Sequence, residues 1–191
     1  RRRVVNIPTL CCVSSICVRK LLRFPITMDK YLTMDNLEVG LKFTSIISTG
    51  LFAGGAIYVG ASHMPGILAM TDMDQALMNF RYFWPRIKTM PRSAFIGAFS
   101  GVGAYLVRRR VEDIPFLLGG LGMFFNEGFT MKVVYPKSIA PLLDPNLLKE
   151  NDDAYVRKMF KKFDDYHYVR TLVGTAAFVG CTLAYFKSTC K

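Results

Sequence analysis

The chain has 191 residues, of which 51% are apolar and 20% charged, and its net charge is +11 at pH 7. This balance is typical of a small polytopic membrane protein, whose loops carry the charge and whose spans do not. The positive charge is concentrated at the N-terminus, and no basic patch interleaved with aromatic residues occurs outside the flanks of apolar runs, which argues against nucleic-acid binding.

Residues 1–40 are predicted to be a basic N-terminal tail, either a targeting segment or an interfacial one. Residues 1–28 hold six Lys/Arg and no Asp or Glu, a composition typical of organelle transit segments. This predicts the mitochondrial inner membrane, with the endoplasmic reticulum as the alternative location. The cysteines form no pair of CxxC motifs, which argues against a zinc site. They are Cys11, Cys12, Cys17, Cys181 and Cys190.

Four apolar segments follow, and we predict that each is a transmembrane helix. The first covers residues 43–62, which carry no formal charge and would span roughly 30 Å. The second covers 93–107, with flanking arginines that can extend to the membrane surface. The third begins near Pro115, which suits a first helical turn, and ends before Pro136. The fourth covers 171–186.

The segments between these spans are predicted to be mostly loops. Residues 63–91 are polar and aromatic, and the segment "FRYFWPRIK" within them is expected to lie at the membrane interface, whereas the proline-rich residues 135–153 are expected to be irregular. Residues 154–170 are amphipathic and are expected to continue into the last span as one long helix. Lys and Arg divide 13 to 12 between the two sides, so no orientation is predicted.

The predicted fold is all-α: a four-transmembrane-helix bundle over residues 41–187, with short loops and a long final helix. Small residues recur at four-residue spacing in the spans, as in Gly97-x-x-x-Gly101, and such spacing lets helices approach closely in lipid. A soluble helical bundle is the alternative, although its seams would favour Leu and Ile.

Four alternating spans bring the end of spans one and three and the start of spans two and four to the same membrane face. Both histidines of the chain fall there. Polar groups close to hydrocarbon are costly and tend to pair or to line a cavity. The polar residues expected at this face include His63, Arg92, Asn126, Glu127, Thr130, His167 and Arg170.

Helical spacing predicts which of these residues point into the bundle. In the last helix, steps of three and four place His167 and Arg170 on the same stripe as small residues, and in the third span Asn126 and Thr130 lie on such a stripe. Glu127 lies beside it, so we expect an interaction with Arg170 or His167. A purely structural clamp between helices is the alternative interpretation.

A metal site is a further alternative, with His63, His167, Glu127 and Asp164 as ligands. No HxxxH or ExxH spacing supports it, and no nucleotide-binding or nucleophile-elbow motif is present. We therefore predict neither a metal nor another cofactor.

The order of four segments resembles a known family. These are "GLFAGGAIYVGASHMPGIL", "FWPRIKTMPRSAFIGAFSGVGAYL", "NEGFTMKVVYPKSIAPLL" and "FDDYHYVRTLVG". Together they are similar to the small four-span membrane proteins of unknown function that include the fungal anthrone oxygenases. The resemblance covers about residues 41–186.

The resemblance implies a cofactor-independent oxygenase acting on a phenolic, anthrone-type substrate. It implies that His167 is the base, that Arg170 stabilises the anion, and that Asn126 and His63 orient a phenolic oxygen. Glu127, Thr130 and Arg92 are then expected to contact the substrate.

Two functions therefore compete at this point. The sequence favours an accessory or structural subunit of a larger membrane assembly, in contact with the lipid bilayer and with other subunits or copies of itself. The oxygenase-like enzyme is the alternative. A pocket lined by the predicted site residues would favour the enzyme, whereas side chains locked together without a void would favour the subunit.

Overall fold

A computed structural model describes residues 33–189, and in this part of the chain every regular element is helical. The all-α prediction is confirmed for these residues. The predictions for the N-terminal tail up to residue 32, including Cys11, Cys12 and Cys17, and for Cys190 lie outside the described residues.

The first helical rod contains the first predicted span. Helix α1 covers Met34–Tyr58, a π-helical turn covers Val59–His63, and α2 covers Met64–Ala69. Helix α1 thus begins within the segment that the sequence assigned to the tail. The amide of Met64 donates to the carbonyl of Val59, five residues back, which is the wide spacing of a π-helix.

The segment predicted as a loop over 63–91 is largely helical, so that prediction was wrong. After α2 come α3, Met73–Phe83, and a 3₁₀ helix, Trp84–Lys88. The carboxylate of Asp72 accepts the amides of Asp74 and Gln75 at 2.9 and 3.2 Å and so caps α3. Aspartate is a favoured N-cap residue, so Asp72 is a signal in the sequence for the start of this helix.

The second predicted span lies within α4, Thr89–Arg108. A turn with Arg109 at a positive φ of 52° and the 3₁₀ turn Val111–Asp113 lead from α4 into α5, Ile114–Phe129. The third predicted span begins in α5 and is longer than expected. Helix α5 then continues as a π-helix over Thr130–Ile139 and as α6 over Ala140–Leu143.

The predictions that this helix ends before Pro136 and that 135–153 is irregular were therefore wrong. Proline lacks an amide hydrogen and its ring collides with the carbonyl four residues back in an α-helix. The wider π-helix around Pro136 relieves that conflict, and the amide of Ala140 reaches back five residues to Tyr135. A short helix α7, Leu147–Glu150, precedes the last element.

The last helix, α8, runs unbroken over the 37 residues Asp153–Thr189, which confirms the predicted long helix. Its buried face contains His167 and Arg170 together with small residues, as the helical spacing predicted. The buried residues are Val156, Met159, Phe160, Phe163, His167, Arg170, Gly174, Ala177 and Cys181.

Four helices form a bundle in which α1 packs against α4, α4 against α5, α5 against α8, and α8 against α1. At one end of this bundle, α2, α3, α6, α7 and the first half of α8 pack together, and we call this part the cap. Phe80 is its centre, with edge-to-face contacts to Phe160 and Phe163 at 5.6 and 5.3 Å between ring centroids. One apolar core extends from the bundle into the cap.

Two helical stretches in the described part of the chain have the length and apolar composition to cross a membrane, Met34–Ala69 and Asp153–Thr189. Only 39% and 22% of their most apolar 18-residue windows are buried in the protein. Both stretches therefore bury one face in the bundle and leave most of their apolar surface exposed.

Candidate functional site

A pocket of about 280 Å³ lies where the bundle meets the cap. Its walls come from the 3₁₀ helix, the start of α4, the α5–π-helix junction and the middle of α8. The lining residues are Trp84, Ile87, Met90, Pro91, Phe95, Glu127, Thr130, Met131, Tyr135, His167 and Arg170.

His167 is 1% exposed and is fixed from both sides. Its Nε2 lies 2.9 Å from the carbonyl oxygen of Ala56 on α1, and its ring stacks on Phe163 at 5.7 Å. Because a carbonyl can only accept, Nε2 carries the hydrogen, and in the neutral ring the lone pair is on Nδ1. Within the described residues Nδ1 is buried without a hydrogen-bond partner.

Arg170 and Glu127 lie at the same pocket, 3% and 5% exposed. Their charges attract each other, but the two groups do not form a direct ion pair. The Nε of Arg170 and the Oε1 of Glu127 are both buried and have no partner in residues 33–189. The Arg170 guanidinium also lies 5.6 Å from the ring centre of Phe52, in a cation–π contact.

Asn126 is buried beside the pocket but does not line it. Its side-chain amide donates to the backbone carbonyl of Arg170 at 3.2 Å, so it joins α5 to α8. The Thr130 hydroxyl, which does line the pocket, donates to the carbonyl of Asn126 at 2.7 Å. Asn126 therefore positions the backbone that carries Arg170.

His63 and Arg92 lie apart from this pocket. His63 stacks on Phe83 at 3.7 Å, and its Nε2 is buried with no partner among the described residues. It is at the same end of the bundle as His167, because His167 packs against Ala56 and Gly60 of the same rod. Arg92 is exposed. Of the seven predicted site residues, the pocket brings together Glu127, Thr130, His167 and Arg170.

Sequence reasoning missed the apolar wall of the pocket. Trp84 and Tyr135 belong to segments that were predicted as loops, and Phe95 and Met131 lie in predicted spans without an assigned role. Trp84 is the only tryptophan of the chain, which was the one signal that could have indicated its place beside a site.

A second polar cluster, also missed, lies at the opposite end of the bundle. The Nζ of Lys42 is 2.6 Å from Glu38 and 2.5 Å from Asp113, and all three side chains are less than 10% exposed. Arg108 of α4 adds ion pairs to Glu38, at 3.1 Å, and to Asp35. This Lys42 cluster joins the start of α1 to the end of α4 and the start of α5.

Among residues 33–189, no three His, Cys, Asp or Glu side chains converge closely enough to hold a metal ion. The two histidines do not face a common centre: His63 stacks on Phe83, whereas His167 donates a hydrogen bond to the carbonyl of Ala56. The alternative metal site is not assembled by these residues.

Comparison with protein-family models, with curated proteins and with solved structures finds no match. The pocket and its chemistry therefore carry the functional argument.

Proposed function

We propose that all four bundle helices cross a membrane and that the cap lies outside it. Large apolar side chains are exposed on each helix, for example Leu51 on α1, Phe99 on α4, Leu118 on α5 and Leu183 on α8, each more than 60% exposed. At about 1.5 Å per residue α8 is roughly 55 Å long, nearly twice a bilayer core of about 30 Å. Its polar first half is then part of the cap.

The composition of the N-terminal tail supports the mitochondrial inner membrane as the location, and the endoplasmic reticulum is the alternative. In either membrane, the pocket lies close to the boundary between hydrocarbon and headgroups.

We infer that the pocket is the active site of an oxygenase-like enzyme for a small, lipid-soluble phenolic molecule. The observation that carries this inference is the set of three buried, unpartnered polar atoms at one apolar pocket: Nδ1 of His167, Nε of Arg170 and Oε1 of Glu127. Buried polar atoms normally have partners, and unpartnered ones in a concave site indicate a ligand.

The arrangement suits proton abstraction without a cofactor. Nδ1 of His167 would take a proton from an activated ring carbon, leaving the electron pair on the substrate as an enolate. The guanidinium of Arg170 would stabilise the enolate oxygen, and Glu127 would balance the charge of Arg170. That carbon then forms a C–O bond to dioxygen, and His167 returns its proton to the resulting peroxide. Loss of the second hydrogen of the carbon with cleavage of the O–O bond leaves C=O and one water, with dioxygen as the oxidant.

The change His167→Gln tests this function. The glutamine amide can still donate to the Ala56 carbonyl, but it has no base in place of Nδ1. We expect oxygen uptake with anthrone, measured on protein in lipid nanodiscs, to fall about 10²–10⁴-fold, with an almost unchanged melting temperature.

Lys132→Gln, an exposed change on the π-helix outside the pocket, is the matched control and should keep wild-type turnover. If the wild-type protein consumes no oxygen with anthrone, or if His167→Gln lowers only the melting temperature, the catalytic proposal fails.

A subunit of a larger membrane assembly is the second candidate function. A shallow apolar groove of about 350 Å³ between α5 and α8, lined by small residues such as Gly119, Gly122, Ala176 and Gly180, favours it. Small residues let a further transmembrane helix approach closely. Gentle extraction from the native membrane followed by native mass spectrometry decides between the two functions, since a subunit would be detected at the mass of its complex.

A further inference from the structure

The pocket opens sideways, through the flank of the bundle. Its rim is formed by Phe95, Met131 and Tyr135, which are 44%, 67% and 43% exposed, whereas His167 and Arg170 at its inner end are 1% and 3% exposed. Phe95 is on α4 and the other two rim residues are on the π-helix. The rim thus lies on the surface that the proposed topology places in lipid.

The inner end of the pocket has balanced charge. Arg170 contributes one positive charge, Glu127 one negative charge, and His167 has one nitrogen donating to a backbone carbonyl and one nitrogen unpartnered. A charged ligand would have to lose its hydration without finding a net opposite charge, which is costly in a buried site. An uncharged ligand avoids this cost.

The unpartnered atoms also define the hydrogen bonds that a ligand must make. Nε of Arg170 is a donor, Oε1 of Glu127 is an acceptor, and Nδ1 of neutral His167 is an acceptor. A ligand head must therefore accept one hydrogen bond and donate at least one. A hydroxyl group does both, whereas an ester or ether only accepts and a quaternary ammonium does neither.

We propose that this pocket takes an uncharged amphiphile with a hydroxyl head directly from the acyl region of the bilayer, through the rim formed by Phe95, Met131 and Tyr135. The proposal rests on the proposed membrane topology and deepens the proposed function by naming the class of substrate and its route. The apolar body of the ligand contacts Trp84, Ile87 and Met90, and the hydroxyl lies against Glu127, His167 and Arg170.

Trp84 provides the readout, because it lines the pocket and is the only tryptophan in the chain. We would measure its fluorescence in nanodiscs titrated with 10-bromodecanol, 10-bromodecyl sulfate or 10-bromodecyltrimethylammonium over the same range of membrane mole fractions. Bromine quenches tryptophan fluorescence on contact. The three probes share the same bromodecyl chain and differ only in the head group. We expect half-maximal quenching by the alcohol at a mole fraction about tenfold lower than by either ion.

The route is tested in the same samples. Phospholipids brominated on the acyl chain should quench Trp84 and bromine-free decanol should relieve that quenching, while acrylamide in the water should have little effect. If acrylamide quenches Trp84 and brominated phospholipids do not, the lateral route is wrong, although the oxygenase proposal survives.

The change Glu127→Gln tests the recognition of the head, because it leaves Arg170 with an unbalanced positive charge. We expect the preference to move from the alcohol to the sulfate, by about tenfold in the ratio of their half-maximal mole fractions. Glu150→Gln, at an exposed position on α7, is the matched control and should keep the wild-type order.

Two results overturn the proposed ligand class: equal quenching of the wild-type protein by all three heads, or an unchanged order in a folded Glu127→Gln variant. If Glu127→Gln does not fold, the order measured on the wild-type protein decides alone. Binding of the alcohol without oxygen uptake would refute only the oxygenase function.

Discussion

Lys42 shows how a single charged side chain can hold one end of the bundle. It is 6% exposed, its ammonium lies between Glu38 and Asp113, and it is also 5.5 Å from the ring centre of Phe116. Attraction between buried charges is strong, but so is the cost of removing them from water. Lys42 and Asp113 therefore depend on each other, while Glu38 is also paired with Arg108.

Removing Lys42 alone should therefore be costly. We expect Lys42→Met to lower the free energy of unfolding by about 3–5 kcal/mol, because the Asp113 carboxylate would remain buried without its ion-pair partner, whereas Glu38 keeps its ion pair with Arg108. The measurement is thermal unfolding in nanodiscs followed by circular dichroism.

Lys132→Met, at an exposed position, is the control and should leave the melting temperature unchanged. The double change Lys42→Met and Asp113→Leu should recover much of the loss, since it removes both members of the closest pair. A Lys42→Met variant as stable as the wild-type protein would show that the cluster contributes no net stability.

The sequence identified Lys42 only as the end of an apolar run. Glu38 could have been found, because residues four apart share a helix face. Asp113 could not, because it lies 71 positions further along the chain and reaches Lys42 only through the turn at Arg109. In contrast, His167 and Arg170 were predictable, since three-residue spacing and neighbouring small residues place them inside the bundle.

At the scale of helices, glycine sets how closely α4 and α5 approach. A Cβ atom at Gly120 would be 2.7 Å from the carbonyl oxygen of Ala98 and 2.9 Å from the amide nitrogen of Val102. These are backbone atoms, so they cannot move aside as a side chain could. Gly101 on α4 is in the same position relative to the carbonyl of Phe116, at 2.7 Å.

We expect Gly120→Ala to separate the two helices and to reduce the free energy of unfolding by about 1–3 kcal/mol. The change Gly180→Ala on α8 is the matched control, because a Cβ there meets nothing within 4 Å. It should be neutral or stabilising by up to about 1 kcal/mol, since alanine favours a helix interior.

Both effects can be read from thermal unfolding in the same lipid. Equal melting temperatures for the two variants would mean that α4 and α5 do not depend on this close approach.

Helix positions were easier to predict than helix ends. The apolar runs located all four bundle helices, whereas Pro136 was taken as an end because proline terminates an α-helix. The sequence gives no sign that the turn widens into a π-helix, because that depends on packing around residues 130–139. This wall of the pocket was therefore not predictable as a unit, because Thr130, Met131 and Tyr135 line the pocket from that π-helix.

For the molecule as a whole, the number of membrane crossings is the property on which the proposals depend. Four crossings place Gln75 and Asp152 on one side of the membrane and Arg110 and Ser188 on the other. If only α1 and α8 cross, Arg110 lies on the same side as Gln75.

Single cysteines introduced at these four positions, in a background without the native cysteines, should be labelled in two pairs by an impermeant maleimide added to one side of sealed vesicles. We expect Gln75→Cys and Asp152→Cys to react together, and Arg110→Cys and Ser188→Cys together. Labelling of Arg110→Cys with Gln75→Cys would exclude four crossings and with them the lateral route into the pocket.

The unbroken course of α8 has a mechanical consequence. One rigid rod of 37 residues belongs both to the cap and to the bundle, and it carries His167 and Arg170 near its midpoint. In the proposed topology α8 has no break where it would leave the lipid, so a force applied to the cap would tilt α8 as a whole about the pocket. Anything that grips the cap would thereby change the shape of the pocket, and a ligand held there would resist that movement.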